Sequence, residues 1–310
     1  MSKFKDLLQA SFKSADTEEW LDVYFTRPIG LVFALFWNKL GVHPNAITIL
    51  SIFLGIGAGC MFYFTDLWHN ICGILLLMFA NFCDSTDGQM ARLTGKKTLV
   101  GRVLDGFSGD VWFFCIYVAL CLRMQGQNIP FTEMKWGLLI WILGAIAGFL
   151  CHSPQSSLSD YYRQIHLFFL KGKEGSELDN SAQQQAIYES LPKTDLWGRA
   201  FYSNYAKYCR SQEKRTPRFQ EFFKKFASRY GSAQDMPQDL RNEFLNGSRP
   251  LMKYTNILTF NVRAICIYVT CLLNCPWIYF LIEILPLNYL YYKMHNRHEA
   301  LCAKLLEDMK

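Results

Sequence analysis

The chain is 310 residues long, 51% hydrophobic and 16% aromatic, with only 19% charged residues. That length allows one or two domains, and that composition excludes a disordered tail, a fibrous protein and a disulfide-stapled secreted module. The 32 basic and 26 acidic residues leave a net charge of +6, which does not by itself argue for nucleic acid.

The first 28 residues are mixed polar and aromatic, with acids at Asp16, Glu18 and Glu19. The apolar run Ile29–Trp37 leads into Asn38 and Lys39 rather than a cleavage site, so no signal peptide is expected. Thr26–Gly41 reads as an amphipathic helix on a membrane surface. Beyond it, five or six segments approach the roughly 20 apolar residues that cross a bilayer. They are Ala46–Phe64, Trp68–Cys83, Val103–Leu122, Trp136–Cys151, Ile257–Leu273 and Trp277–Tyr292.

The loop Arg92–Arg102 carries Arg92, Lys96, Lys97 and Arg102, whereas Thr65–Trp68 and Asn274–Trp277 carry no Lys or Arg. The loop after the third segment is less clean, with Arg123 and Lys135. By the positive-inside rule both termini and the loop after the fourth segment face the cytoplasm. That last loop, His152–Lys253, holds 16 Lys or Arg and reads as a soluble insertion. It explains why the mean hydropathy is only +0.06. Within it Phe219–Tyr230 has helical spacing. Lys214, Arg215, Arg218, Lys224, Lys225 and Arg229 form a basic stretch, either a solvated face or a surface drawn to anionic lipid.

The expected fold is therefore an all-α integral membrane protein with six transmembrane helices. Its parts are a cytoplasmic segment and surface helix over residues 1–41, spans one to four over 42–151, a helical cytoplasmic insertion over 152–253, and spans five and six with a tail over 254–310. The 11 cysteines form no C-x-x-C pair, and most sit in or beside apolar runs, where a thiol acts as a small hydrophobe. Gly55, Gly57 and Gly59 lie inside a span and read as close helix packing.

Four aspartates, Asp84, Asp87, Asp105 and Asp110, cluster at the ends of two apolar spans, where charge is costly and usually functional. Asp84 and Asp87 are three apart and share a helix face. Asp105 opens the next span, which runs antiparallel after a short connection, so the two helix ends bring carboxylates together. Such a cluster repels itself unless divalent cations intervene, and oxygen-only ligands suit magnesium, calcium or manganese. Gly88 permits close backbone approach, Ala91 tight packing, and Arg92 a fork onto phosphate oxygens. Two metals on a diphosphate would serve phosphoryl transfer.

The run Asp84-x-x-Asp87-Gly88-x-x-Ala91-Arg92, eight residues, then Gly101-x-x-x-Asp105, resembles the signature of the CDP-alcohol phosphotransferase family. His43-Pro44-Asn45 with Thr48 one turn on, the surface helix and the six spans add to the resemblance, which leaves the insertion unaccounted for. It implies displacement of CMP from a CDP-linked substrate by an alcohol, with two magnesium ions (manganese as a substitute) on Asp84, Asp87 and Asp105. Gly88, Ala91, Arg92, Gly101, Asn45 and Thr48 would border the nucleotide and diphosphate. A homodimer is likewise implied by the resemblance alone.

One departure stands out. The family's last aspartate belongs at 109, where this chain has Gly109, with Asp110 next. A π-bulge within Gly106–Asp110 would restore the register, making Asp110 a metal ligand and, with Asp105, the catalytic pair.

Arg263 lies deep in the fifth span and reads as a cation for an anionic acceptor. Arg163, with His152 and Asp160 after the fourth span, lines an acceptor cavity or opens a solvated helix. Glu283 reads as a packing or interfacial group.

The function expected is phosphatidyl transfer from CDP-diacylglycerol to inositol phosphate, inositol or glycerol phosphate in phospholipid synthesis, at a site facing the cytoplasm. Its partners are then membrane lipids, the CDP-lipid and a polar acceptor, and no nucleic acid. Two alternatives remain: transfer from CDP-ethanolamine or CDP-choline to a lipid hydroxyl, and a magnesium channel or carrier.

Overall fold

The computed structural model describes residues 2–12, 14–96 and 98–309; Lys97, counted in the basic loop, lies outside them. Helix makes up 81% of the chain, and no strand occurs among the described residues. In chain order the helices are α1 (Ser2–Ala10), α2 (Arg27–Lys39), α3 (Pro44–Phe62), α4 (Leu67–Thr94), α5 (Leu99–Met124), α6 (Gly137–Ala145), α7 (Ser153–Lys171) and α8 (Ser181–Ser190). They continue as α9 (Leu196–Arg215), α10 (Pro217–Tyr230), α11 (Gln238–Ser248), α12 (Met252–Ile257), α13 (Phe260–Leu272), α14 (Trp277–Ile282) and α15 (Asn288–Asp308).

Two compact units divide the chain: Met1–Pro154 with Thr259–Asn288, and Gln155–Leu258 with Tyr289–Lys310. Among the described residues five helical stretches are long and apolar enough to cross a membrane: Pro44–Phe62, Leu67–Thr94, Leu99–Met124, Gly137–Lys171 and Gln238–Leu272. The sixth expected span, Trp277–Tyr292, is not among them. The helix runs on through a π-turn over Glu283–Leu287 into α15, which is rich in charge.

In the first unit, Pro44 starts α3 behind His43, whose Nδ1 accepts the Asn45 N–H at 3.2 Å. The glycines of α3 act as the sequence suggests. A Cβ on Gly55 would lie 2.0 Å from the Trp112 ring, and one on Gly59 would lie 3.0 Å from Cys115 Cβ, so α5 packs directly on the α3 backbone. Phe62, Leu77, Ile116, Leu120, Tyr279 and Phe280 form the buried core around this contact.

Arg123 ties the opposite helix ends together. Its Nη1 donates to Phe62 O and Asn70 Oδ1, and its Nη2 to Cys271 O and Asn274 Oδ1, all within 2.8–3.1 Å. Carbonyls at the C-termini of α3 and α13 would otherwise lack donors, and a cation there also suits the helix dipoles.

In the second unit α10 turns Phe219, Phe222 and Phe226 into a core with Phe169 and Phe244, while Arg218, Lys224 and Arg229 are exposed. The helical spacing expected over Phe219–Tyr230 is found, and its basic residues form the outer face. Glu299 of α15 accepts the N–H groups of Arg218 and Phe219 at 2.8 and 3.4 Å, capping the start of α10. All 11 cysteines are free thiols.

Candidate active site

The acidic site forms where α4 ends and α5 begins. Gly95 closes α4 with φ +69°, a left-handed conformation that favours glycine. Thr98 caps α5 by accepting the Gly101 N–H at 3.0 Å. The reversal between these two caps brings Asp105 beside the last turns of α4. The Asp84 and Asp105 carboxyls come within hydrogen-bonding reach of each other, and Asp87 is close enough to Asp105 to feel its charge. Asp87 is buried, and the Thr48 hydroxyl of α3 donates to its Oδ2.

The small residues keep space beside these acids. A Cβ on Gly101 would lie 3.1 Å from Asn45 Oδ1, so Asn45 stands against the start of α5. A Cβ on Gly88 would lie 3.3 Å from Arg92 Nη1, so the guanidinium folds back over the α4 backbone one turn earlier. Ala91 is half-buried beside it. Asp84, Asp87, Asp105, Thr48, Asn45, Gly88, Ala91, Arg92 and Gly101 therefore share one end of the first unit.

Asp110 does not join them. Helix α5 is continuous from Leu99 to Met124 with no π-turn, and Asp110 is exposed. Five residues of regular helix place it about 140° round the axis from Asp105. The bulge that would have made it a ligand and base is absent, because neither Gly106 nor Gly109 meets a neighbour that would force one: a Cβ on either finds nothing within 4 Å.

Of the π-turns in this unit, at Asp22–Thr26, Ile146–His152 and Glu283–Leu287, the last two serve another cluster. Pro286 lacks an N–H and breaks the helical ladder, which favours such a turn. Arg263 Nε pairs with Glu283 Oε1 at 2.7 Å, with both side chains buried. His152 Nδ1 lies 3.5 Å from the same oxygen, and the Tyr279 hydroxyl donates to it at 2.8 Å. The Tyr117 hydroxyl donates to the Tyr279 oxygen at 3.2 Å. Arg263 is thus a neutralised partner in a closed network, which removes the reason for reading it as an acceptor cation. Arg163 belongs to the second unit, where its Nη2 donates to Asn256 Oδ1 at 3.0 Å.

Residues that spacing did not flag complete the acidic site. Thr86 donates to Gly30 O at 3.3 Å and Gln89 Nε2 to Arg27 O at 3.0 Å, so the unspecified positions of the motif seat α2 against α4. Arg27 lies near enough to Asp84 to act on its charge. The only signal for Arg27 was a cation at the head of the surface helix.

Among the described residues no three His, Cys, Asp or Glu side chains are grouped so as to hold a metal ion. The donor set nevertheless suits a hard cation. Three carboxylates from two helices crowd together, so a divalent ion would relieve their repulsion and draw them inward.

Residues 41–153 match the model of the CDP-alcohol phosphatidyltransferase family. The chain is 37% identical over 67 residues to an archaetidylinositol phosphate synthase of Pyrococcus horikoshii, covering 22% of this chain and 34% of that protein. It is 28% identical over 131 residues to a phosphatidylinositol phosphate synthase of Streptomyces avermitilis, covering 36% and 52% respectively. An uncharacterized protein of Aquifex aeolicus is 39% identical over 70 residues, covering 23% and 34%. The chain thus spans between about a third and about a half of the length of these curated relatives.

Proposed function

We propose that the protein moves a phosphatidyl group from CDP-diacylglycerol to a polar alcohol and releases CMP, a reading supported by the match of residues 41–153 to the CDP-alcohol phosphatidyltransferase family model. The observation that carries this reading is the meeting of Asp84, Asp87 and Asp105 beside Gly88, Arg92 and Gly101. The acceptor proposed is inositol phosphate, in keeping with the names of two relatives. The site faces the cytoplasm, on the strength of the basic short loops, and the enzyme works as a homodimer, as the family resemblance implies.

Asp84, Asp87 and Asp105 would hold two magnesium ions, which supply charge neutralisation for the diphosphate. Thr48 holds the Asp87 carboxylate in one orientation through its hydrogen bond. Gly88 and Gly101 let the diphosphate approach the backbone, Arg92 takes its oxygens, and Asn45 borders the nucleotide. The acceptor hydroxyl attacks the lipid-side phosphorus and gives its proton to Asp105, the half-exposed member of the pair. The bond between that phosphorus and the bridging oxygen breaks, and CMP leaves with the bridging oxygen.

A second acceptor reading has one observation in its favour. Arg263, the deep cation that pointed to a phosphorylated acceptor, is paired with Glu283. An uncharged alcohol such as free inositol then becomes the alternative. The deciding experiment measures CMP release by purified protein with magnesium and CDP-diacylglycerol across inositol phosphate, inositol and glycerol phosphate. Release with inositol phosphate alone supports the first reading, and release with free inositol the second. No release with any acceptor or CDP-alcohol overturns both and favours the magnesium carrier.

A further inference from the structure

The segment between α1 and α2 makes three separate contacts around the acidic site. Ser11, itself buried, accepts a hydrogen bond from Arg92 Nε through its carbonyl at 2.6 Å. Glu18 faces Arg27 with both oxygens, Nε reaching Oε2 at 3.2 Å and Nη2 reaching Oε1 at 3.3 Å. Asn261, at the start of α13, donates through Nδ2 to Glu19 and, at 3.1 Å, to Asp22 Oδ1. Ser14 and Thr17 are buried between these points. Residue 13 lies outside the described residues.

These contacts share a chemistry. A guanidinium meeting a carboxylate with two parallel N–H donors presents the same face it would give a phosphate. Glu18 therefore stands on Arg27 as a phosphate oxygen pair would, and Ser11 supplies a carbonyl acceptor to Arg92. Arg27 lies beside Asp84, and Arg92 lies over Gly88, so the two cations flank the place proposed for the diphosphate. The Asn261 contact differs in having no cation in it.

We propose that residues 11, 12 and 14–22 belong to a strap whose Ser11 carbonyl and Glu18 carboxylate hold Arg92 and Arg27 in the unloaded protein, and that the diphosphate of a CDP-linked lipid displaces them. Arg27 thereby becomes a second phosphate-binding cation beside Arg92. Asn261 keeps the end near α2 tethered, so the strap lifts at Ser11 and Glu18 without leaving the site. Opening exchanges two ionic or charge-assisted contacts within the chain for two to the substrate, which keeps the closed state easy to displace. This inference rests on the phosphatidyl-transfer reading.

Hydrogen exchange on the full chain in nanodiscs tests it without relying on turnover. Adding CDP-diacylglycerol with magnesium should protect amides of residues 84–105 and speed exchange over residues 11–22 at least about threefold. Protection at 84–105 with unchanged or slower exchange at 11–22 overturns the strap and leaves the transferase reading standing. No protection at 84–105 and no CMP release overturns both. In kinetics, Glu18→Gln should lower the KM for CDP-diacylglycerol several-fold with kcat within about twofold, and Arg27→Gln should raise that KM about tenfold. A KM that rises in Glu18→Gln, or stays level in both variants, also overturns the proposal.

Discussion

Two groups of charged residues sit within apolar helices of the first unit, and they are opposites. At the junction of α4 and α5 acids are in excess: Asp84, Asp87 and Asp105 lie close to one another, with Arg27 and Arg92 as the cations that act on them. Around Arg263 and Glu283 the charges cancel, and His152, Tyr279 and Tyr117 close the remaining bonds. Burial alone marks both groups. What separates them is compensation: the first sets three acids against the two arginines that act on them, while in the second Arg263 and Glu283 neutralise each other. An intramembrane charge therefore points to a binding site when its neighbours leave it unbalanced, and to architecture when they balance it.

Four measurements would break or sharpen that contrast. The largest effect is expected for Asp87→Asn. It should lower CMP release at least about a hundredfold, the scale seen when a preorganised electrostatic group is lost. Thermal unfolding should show no loss of stability, because one of three repelling charges has gone. A folded variant with full turnover would remove the acidic site from the chemistry.

Glu283→Gln should do the reverse. It strands the buried Arg263 charge, which costs about 3–5 kcal/mol, read as a lower unfolding midpoint in detergent. The KM for acceptor in the surviving fraction should stay near that of the parent protein. A raised acceptor KM with unchanged stability would return Arg263 to substrate binding.

The third measurement extends the contrast to a buried group in the second unit that is kept neutral. His298 is enclosed by Tyr162, Phe219 and Phe244, and burial pushes its pKa down to about 3, with His295 and His166 adding to the shift. The unfolded chain binds a proton near pH 6.5 while the folded chain does not. This part of the stability is therefore complete above pH 6.5 and falls away as the pH drops toward 3, by at most about 1.4 kcal/mol per pH unit. Glu299 opposes it, since burial raises its pKa and its share is lost as the pH rises. Acid unfolding followed by exchange in α10 and α15 should be less steep in His298→Phe. An unaltered slope would show that His298 does not set the acid limit.

The smallest effect is expected for Asp110→Ala. An exposed side chain well round the helix from Asp105 should change CMP release less than about twofold and stability by under about 0.5 kcal/mol. A large loss would show that α5 rearranges during the reaction.

Much of the acidic site could be read from residue order. Asp84, Asp87, Gly88, Arg92, Gly101 and Asp105 lie in one short stretch, and helical spacing with a tight reversal brings them together. The tight packing at Gly55 and Gly59 was legible for the same reason. The expected π-bulge at Asp110 was not met, because a helix departs from its ladder only under local pressure. That pressure exists at Pro286 and is missing at Gly106 and Gly109. The sixth expected span is not among the long apolar helices, because its apolar run continues into a charged helix. The N-terminal strap left no trace in spacing, as Arg92 and Ser11 are 81 residues apart.

The amino-acid order alone determined a helical, membrane-class chain with an acidic motif at one junction. Apolar length, capping residues and three-residue spacing act between neighbours, so they need no knowledge of the rest of the fold. Tertiary structure alone decided that Arg263 belongs to Glu283, that Arg27 and Arg92 are held from the N-terminal segment, and that Asp110 stands aside. A charge is defined by what surrounds it in space, and those surroundings are assembled from parts of the chain that local order cannot bring together.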